Sequence, residues 1–563
     1  AGWNVIKVIW GSNWDPLLER DHTGKLVQLM NELVDGDYQT LKSRDGAYVR
    51  EHFFGRYPET AELVAHMSDE DIWALQRGGH DPRKVYAAYK AAFDHRGAPT
   101  VILAKTIKGY GMGVSGEAQN IAHQAKKMKV ESMRAFRDRF HLPIPDDKVE
   151  ELPFFKPAEN TPEMQYLRAK LQERGTLPVR RTKSAALTVP DLAVFEPMLK
   201  STGDRDISTT MAFVRILNTI VKDKNLGEHV VPIVADESRT FGMEGMFRQL
   251  GIYSSVGQLY HPQDADQLMW YREDKKGQIL QEGINEAGAI SSWTAAGTSY
   301  STHDVQMIPF YIFYSMFGFQ RVGDLAWAAA DSRARGFLIG ATSGRTTLNG
   351  EGLQHEDGHS QVFASFIPNC VSYDPTYGYE LAVIVADGLR RMYAEQEDVY
   401  YYITVMNENY PHPEMPKGAE SGILRGMYLL RDAGKTDKRT PRVQLMGSGS
   451  ILREVEAAAD LLRDDFGVAA DVWSATSFNE LRRDGIDAER WNMMHPEDQP
   501  RVPYVAQCLA DRRGPAIAAT DYVRTFADQI RPYIANRRFV ALGTDGFGRS
   551  DTRRKLRDFF EVD

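Results

Sequence analysis

Cysteine is nearly absent. Two occur in 563 residues, Cys370 and Cys508, with no C-x-x-C pattern. That excludes a disulfide framework, and a reducing, cytoplasmic setting is expected. Long apolar runs are missing too. None approaches the ~18 residues that span a bilayer, and the best candidates are cut by polar or Gly positions, as in Phe310-Tyr311-Ile312-Phe313-Tyr314-Ser315. No signal-peptide pattern is seen. Positive charge is not in excess: the net charge is −9, which argues against gripping nucleic acid by its phosphates. Internal repeats and low-complexity tracts are lacking as well.

What is present is an ordinary globular composition, 42% apolar and 26% charged. The length suggests roughly three or four domains. After an opening strand, residues 1–185 read as mostly helical. Gly24 to Val34 carries apolar residues at helical spacing. Ser68-Asp69-Glu70-Asp71 is a capping-box start. Asp81-Pro82 and Thr161-Pro162 each place a cap residue before a first-turn proline. One strong strand interrupts, Thr100 to Ala104, and runs into Lys105-Thr106-Ile107-Lys108-Gly109-Tyr110-Gly111-Met112-Gly113, whose glycines allow a ligand to approach closely. Residues 176–208 read as a linker. From Thr209 helices and strands alternate, which implies a parallel sheet covered on both faces. From about residue 416 the alternation starts again, with a Gly447-Ser448-Gly449-Ser450 turn before an amphipathic helix. Such a turn can bind a nucleotide, but Leu452 stands where a third glycine is needed.

The stretch His355-Glu356-Asp357-Gly358-His359 fits H-E-x-x-H, a zinc-protease pattern. A zinc site needs both histidines on one helix face and a third ligand. Glu380, 21 residues beyond His359, sits at a usual spacing. Asp357-Gly358, however, favours a turn. A loop rich in Gly, His and acids after a buried strand is the more natural edge of an open α/β sheet's active site.

Several segments together resemble a known family. They are Lys105 to Gly113, Ala235 to Gly242, Gln281 to Gly288, Tyr314 to Phe319 and the loop through His355 and His359. They look like the thiamine-diphosphate enzymes of the transketolase superfamily, and most like homodimeric, bacterial-type pyruvate dehydrogenases. The resemblance implies an α/β, multi-domain, transketolase-like fold. It divides the chain into the remaining part of a diphosphate-binding domain (residues 1–185), a linker and pyrimidine-binding domain (186–415) and a carboxyl-terminal α/β domain (416–563). Family members carry G-D-G and, some 30 residues on, an Asn that hold Mg²⁺ and the diphosphate; that pair is not found here. The chain is therefore expected to be shortened at both ends, with the magnesium ligands outside it and no metal ligand of its own.

The resemblance also implies roles. Glu286 would hydrogen-bond the cofactor's aminopyrimidine ring, its protonated form favoured by apolar neighbours. Ile284 would prop the cofactor and Phe317 stack on it, with Asp236 and Glu237 orienting Glu286 or the dimer contact. His355, Glu351, Lys108 and Tyr314 would face pyruvate, with His359 behind them. His123 would ride a mobile loop that closes over the site and assists acetyl transfer to the lipoyl domain of dihydrolipoyl acetyltransferase. Each residue has an ordinary reading beside this one. Glu286 could be a helix-start acid, Ile284 and Phe317 core residues, Asp236 and Glu237 turn acids, Lys108 a surface charge, and the stretch through His123 a solvated loop. The rival within the superfamily is ketol transfer between sugar phosphates. That needs a basic cluster to grip phosphate, and the basic residues placed by pattern form no obvious one. The rival from another class is a zinc hydrolase built on His355 and His359.

Overall fold

The computed structural model describes residues 2–175, 179–236, 238–534 and 536–562. The chain forms two compact units, residues 1–176 and 177–563. In the first, strand β1 (Asn4–Val8) lies parallel to β2 (Thr100–Ala104), with Asn4 opposite Thr100. Short helices surround a core built on Trp14, Leu26, Leu29, Phe53 and Phe54. The capping residues read from sequence act as such. The Ser68 hydroxyl accepts from the Asp71 amide while the Asp71 carboxylate accepts from the Ser68 amide. Asp81 and Thr161 accept from the first-turn amides of the Pro82–Asp94 and Pro162–Arg174 helices.

The second unit holds two larger sheets. Six strands, β3 (Val230–Val234), β6 (Leu280–Gln281), β7 (Ile308–Tyr314), β8 (Phe337–Ala341), β9 (Cys370–Tyr373) and β10 (Tyr400–Thr404), run parallel in the order β6-β3-β7-β8-β10-β9. A small pair, β4 (Ile252–Tyr253) with β5 (Glu273–Asp274), forms its own two-stranded sheet and is bridged to Ile279, just before β6. Burial on both faces explains why β7, β8 and β10 read as continuous apolar runs rather than alternating ones. The Thr209–Val221, Glu286–Gly297, Phe319–Asp331 and Gly378–Leu389 helices cover this sheet and one another. The expected linker is only partly a linker. Leu192, Phe195, Met198 and Leu199, scattered among polar residues, pack against the core, and Phe195 is fully buried.

The second sheet runs β11-β13-β12-β14-β15: β11 (Tyr428–Arg431), β12 (Arg442–Gly447), β13 (Ala469–Ser474), β14 (Ala516–Ala519) and β15 (Phe539–Leu542). Only β11 is antiparallel. The Ile451–Phe466 helix packs on β12 and β13. One polar knot pins this sheet's edge. Asp471, wholly buried, accepts from Arg442 Nε (2.8 Å), Gln444 Nε2 (2.7 Å) and the Ala433 amide (3.0 Å). Among the described residues no helix is long and apolar enough to cross a membrane.

Removing one partner of a buried ion pair leaves the other charge without compensation and costs about 3 kcal/mol or more. Asp471→Ala should therefore lower the thermal unfolding transition by several degrees. Asp464→Ala, which breaks a solvent-exposed pair with Arg463, should leave it in place. Equal melting curves for Asp471→Ala and the parent would remove the knot from the account of stability.

Candidate active site

Strands β3, β7 and β8 are neighbours, so their carboxyl ends converge. Val234 lies opposite Ile312 and Tyr314 opposite Ala341. In an open parallel sheet this is where side chains carried by the following loops meet. Ala235 and Asp236 follow β3, a tight turn from Ser315 to Phe317 follows β7, and the His355 loop follows β8. The Glu286–Gly297 helix opens at the same edge, with Asn285 capping it by accepting from the Gly288 amide at 3.1 Å. The first residue after that cap is Glu286, so the helix start delivers its carboxylate to the strand ends.

These elements enclose a cavity of about 400 Å³ lined by Asp236, Ile284, Glu286, Tyr314, Phe317, Arg321 and His355. Glu286 is buried, but its setting is not the apolar one expected from sequence. Arg321 Nη1 donates to its Oε1 at 2.7 Å, and the guanidinium lies 3.8 Å from the Phe317 ring centre. Arg321 was invisible in the sequence because its partner lies 35 residues upstream. His355 nests in aromatic rings, 4.6 Å from Tyr314 and 5.4 Å from Phe317 between ring centres. Its Nδ1 is buried and makes no hydrogen bond. Burial, then the Asp236 charge, pushes the Tyr314 phenol above its ordinary range. Glu351 acts on Tyr314 electrostatically from the same loop. Ile284 is exposed at the cavity mouth. Glu237 lies outside the described residues.

The two histidines of the H-E-x-x-H stretch part company. A single turn, Leu353–His355, ends at Glu356, whose φ of −78° and ψ of 81° are not helical. His355 faces the aromatic cavity, whereas His359 Nδ1 lies 3.4 Å from the Arg345 guanidinium. A buried guanidinium is a poor neighbour for a cation, and burial and Arg345 together lower the His359 pKa. The supposed third ligand, Glu380, is fully engaged by the Thr376 and Tyr377 amides and the Tyr428 and Ser474 hydroxyls. Among the described residues no group of three or more His, Cys, Asp or Glu is placed to hold a metal ion. The zinc reading is therefore dropped. The Gly447–Ser450 turn is also closed to a nucleotide: a Cβ on Gly449 would fall 2.6 Å from the Asp374 carboxylate, which already fills the space before the helix.

Beneath His355 lies a cluster of buried acids. Glu356 is 2% exposed and neither carboxylate oxygen has a partner. Burial pushes its carboxyl up to about 8; Asp521 and Glu351 add to the rise and Arg345 opposes it. Burial likewise raises Asp374 to about 7 and Asp521 to about 6.

Lys108 and His123 belong to the first unit, and both are exposed. His123 ends a short turn, Asn120–His123. Lys108 lines a cavity of about 310 Å³ together with Lys42, Arg77 and Lys105. Burial lowers the Lys42 ammonium to about 8. The expectation of no basic cluster is thereby corrected. The four residues, 42, 77, 105 and 108, come from separate segments that only the fold brings together.

Known proteins share both the sequence and the fold. Residues 187–413 match the pyruvate dehydrogenase E1 component middle domain, and residues 426–563 match the transketolase-like TK C-terminal domain. The pyruvate dehydrogenase E1 component of Pseudomonas aeruginosa is 66% identical over 566 residues, covering 100% of this chain and 64% of that protein. Its counterpart in Escherichia coli K12 is 61% identical over 566 residues, covering 100% of this chain and 63% of that protein. The chain thus spans under two thirds of the length of these relatives. Among solved structures, transketolase from Campylobacter jejuni superimposes with a TM-score of 0.57 at 17% identity, over 86% of this chain and 64% of that one. Transketolase from Leishmania mexicana gives 0.53 at 17% identity, over 86% of this chain and 63% of that one. At that identity the likeness is one of fold.

The buried acid under His355 gives a sign for stability against pH. Between its ordinary value of 4.5 and about 8, Glu356 is protonated in the fold and ionised in the unfolded chain. The folded state then binds more protons, so stability falls as pH rises through that window. Asp374 and Asp521 act in the same direction at lower pH. Glu356→Gln should flatten the fall in melting temperature between pH 5.5 and 8. A slope as steep as the parent's would show that Glu356 is not its source.

Proposed function

Given that this chain belongs to the bacterial pyruvate dehydrogenase E1 family, we propose that it supplies most of the active site of an acetyl-transferring pyruvate dehydrogenase. The substrate is pyruvate, and the acceptor is the lipoyl group on a domain of dihydrolipoyl acetyltransferase. The working form is a homodimer. Residues 1–185 serve as part of the diphosphate domain, 186–415 as linker and pyrimidine domain, and 416–563 as the carboxyl-terminal domain. The cofactor is thiamine diphosphate with Mg²⁺, whose ligands are assigned to no residue of this chain.

The observation that carries the proposal is a buried carboxylate at a helix start, facing a cavity walled by Phe317 and by a histidine with a free, buried ring nitrogen. A flat heterocycle that needs an acid at one edge, an apolar face and a polar contact toward substrate fits this set. When bound, thiamine diphosphate supplies a carbon nucleophile and an electron sink for loss of CO₂. The chain's residues do the rest. Glu286 presents its carboxyl group to the ring edge. Arg321 fixes that carboxylate through Oε1 and flattens against Phe317. Ile284, exposed at the mouth, offers the apolar prop. His355 and Tyr314 present an imidazole and a protonated phenol toward a substrate carboxylate, with Glu351 beside them. Asp236, close enough to shift the Tyr314 phenol, orients that hydroxyl. Lys108 adds positive charge for the substrate, and His123 assists acetyl transfer from its loop. The aromatic walls exclude water from the reacting centre.

Glu286→Gln in the full-length enzyme should cut turnover of pyruvate, read with an artificial electron acceptor, by about a hundredfold or more. Thiamine diphosphate with Mg²⁺ should raise the thermal transition of the parent enzyme. Near-normal turnover by the variant would remove Glu286 from the chemistry, and no thermal shift in the parent would remove the cofactor.

A further inference from the structure

The loop from Thr342 to Ser360 leaves β8 of the six-stranded sheet, yet its fixed points belong to the other sheet's domain. At its start, the Asp521 carboxylate accepts from the Arg345 amide at 2.9 Å, the Thr346 amide at 3.1 Å and the Thr346 hydroxyl at 2.8 Å. In its middle, Arg553 donates from Nε and Nη2 to the Thr347 carbonyl at 2.9 and 2.7 Å, and its amide donates to Asn349 Oδ1 at 3.1 Å. The Gly350 amide donates to the Asp551 carbonyl at 2.9 Å, and the Ser550 hydroxyl donates to the Glu351 carbonyl. At its end, the Val523 amide donates to the Gly358 carbonyl at 2.9 Å, while from its start the Arg345 guanidinium donates to the Thr544 carbonyl. Gly548 closes the arrangement: a Cβ there would fall 2.1 Å from Glu356 Cβ. The residue at 548 therefore fixes where Glu356 stands, and with it His355, one residue away.

We propose that the carboxyl-terminal domain is a clamp that positions Glu351 and His355, with Asp521, Gly548 and Arg553 as its grip. The inference rests on the reading of those two residues as substrate-facing. A loop of this length pays about 1–2 kcal/mol of conformational entropy per ordered residue. Bonds to residues carried by the second sheet of the same compact unit meet that cost before substrate arrives, which is what preorganisation requires. Asp521, Gly548 and Arg553 touch the loop and act through it, so they are positioning residues.

The test is a double-mutant cycle in the full-length enzyme loaded with thiamine diphosphate and Mg²⁺, reading kcat and KM for pyruvate. Displacing a binding group by about 1 Å can cost on the order of a hundredfold. Gly548→Ala and Arg553→Ala should each lower kcat/KM by about tenfold or more, with the cofactor concentration for half-saturation unchanged. Both losses should vanish when His355→Ala and Glu351→Ala are also present. Arg553 is partly exposed, so its variant carries the test if Gly548→Ala does not fold. Parent-like kinetics, or equal losses with and without the His355 and Glu351 side chains, would overturn the clamp. If His355→Ala and Glu351→Ala themselves leave kcat/KM unchanged, the substrate-facing reading fails first, and the clamp with it.

Discussion

A carboxylate taken out of water must find donors, and Asp521 finds them in the backbone of a loop that leaves the other sheet. That single demand shapes the centre of the larger unit. Two sheets built from distant stretches of chain are joined by charged and polar groups as well as by apolar contact. Arg345 is 1% exposed and is met by Thr544, His359 and the nearby acids. Such groups are costly to bury and tolerate little freedom. The interface is consequently specific about geometry, and the loop that crosses it inherits that exactness.

Much of the architecture was legible in the sequence. Parallel strands buried on both faces leave apolar runs, and Ile308–Tyr314 could hardly be read otherwise. Caps such as Ser68 and Asp81 are local chemistry, decided within four residues. Most of the candidate site could be named as well, because its residues sit in short segments that resemble a known family. Asp236, Ile284, Glu286, Tyr314, Phe317 and His355 do line one cavity.

What stayed hidden depended on distance along the chain. The Glu286–Arg321 pair spans 35 positions, and no periodicity announces it. The expectation that Glu286 sits among apolar neighbours used only adjacent residues, and those do not decide what meets a side chain in space. The same blindness hid the basic cavity of the first unit and the packing of Phe195 inside the supposed linker. The H-E-x-x-H stretch is the converse case. Its spacing suggests a common face, but the helix that would create that face never forms, and two histidines four apart look in different directions.

The reach of the contacts on the loop after β8 bears on how such a chain matures. Glu351 precedes Arg553 by roughly two hundred residues. At ~5–20 residues per second of synthesis, that interval is on the order of ten to forty seconds. Throughout it, the ribosome-bound polypeptide has its six-stranded sheet without the groups that set the loop. The loop after β8 is thus fixed only once the stretch from Ser550 to Arg553 has been made, long after the strand it leaves.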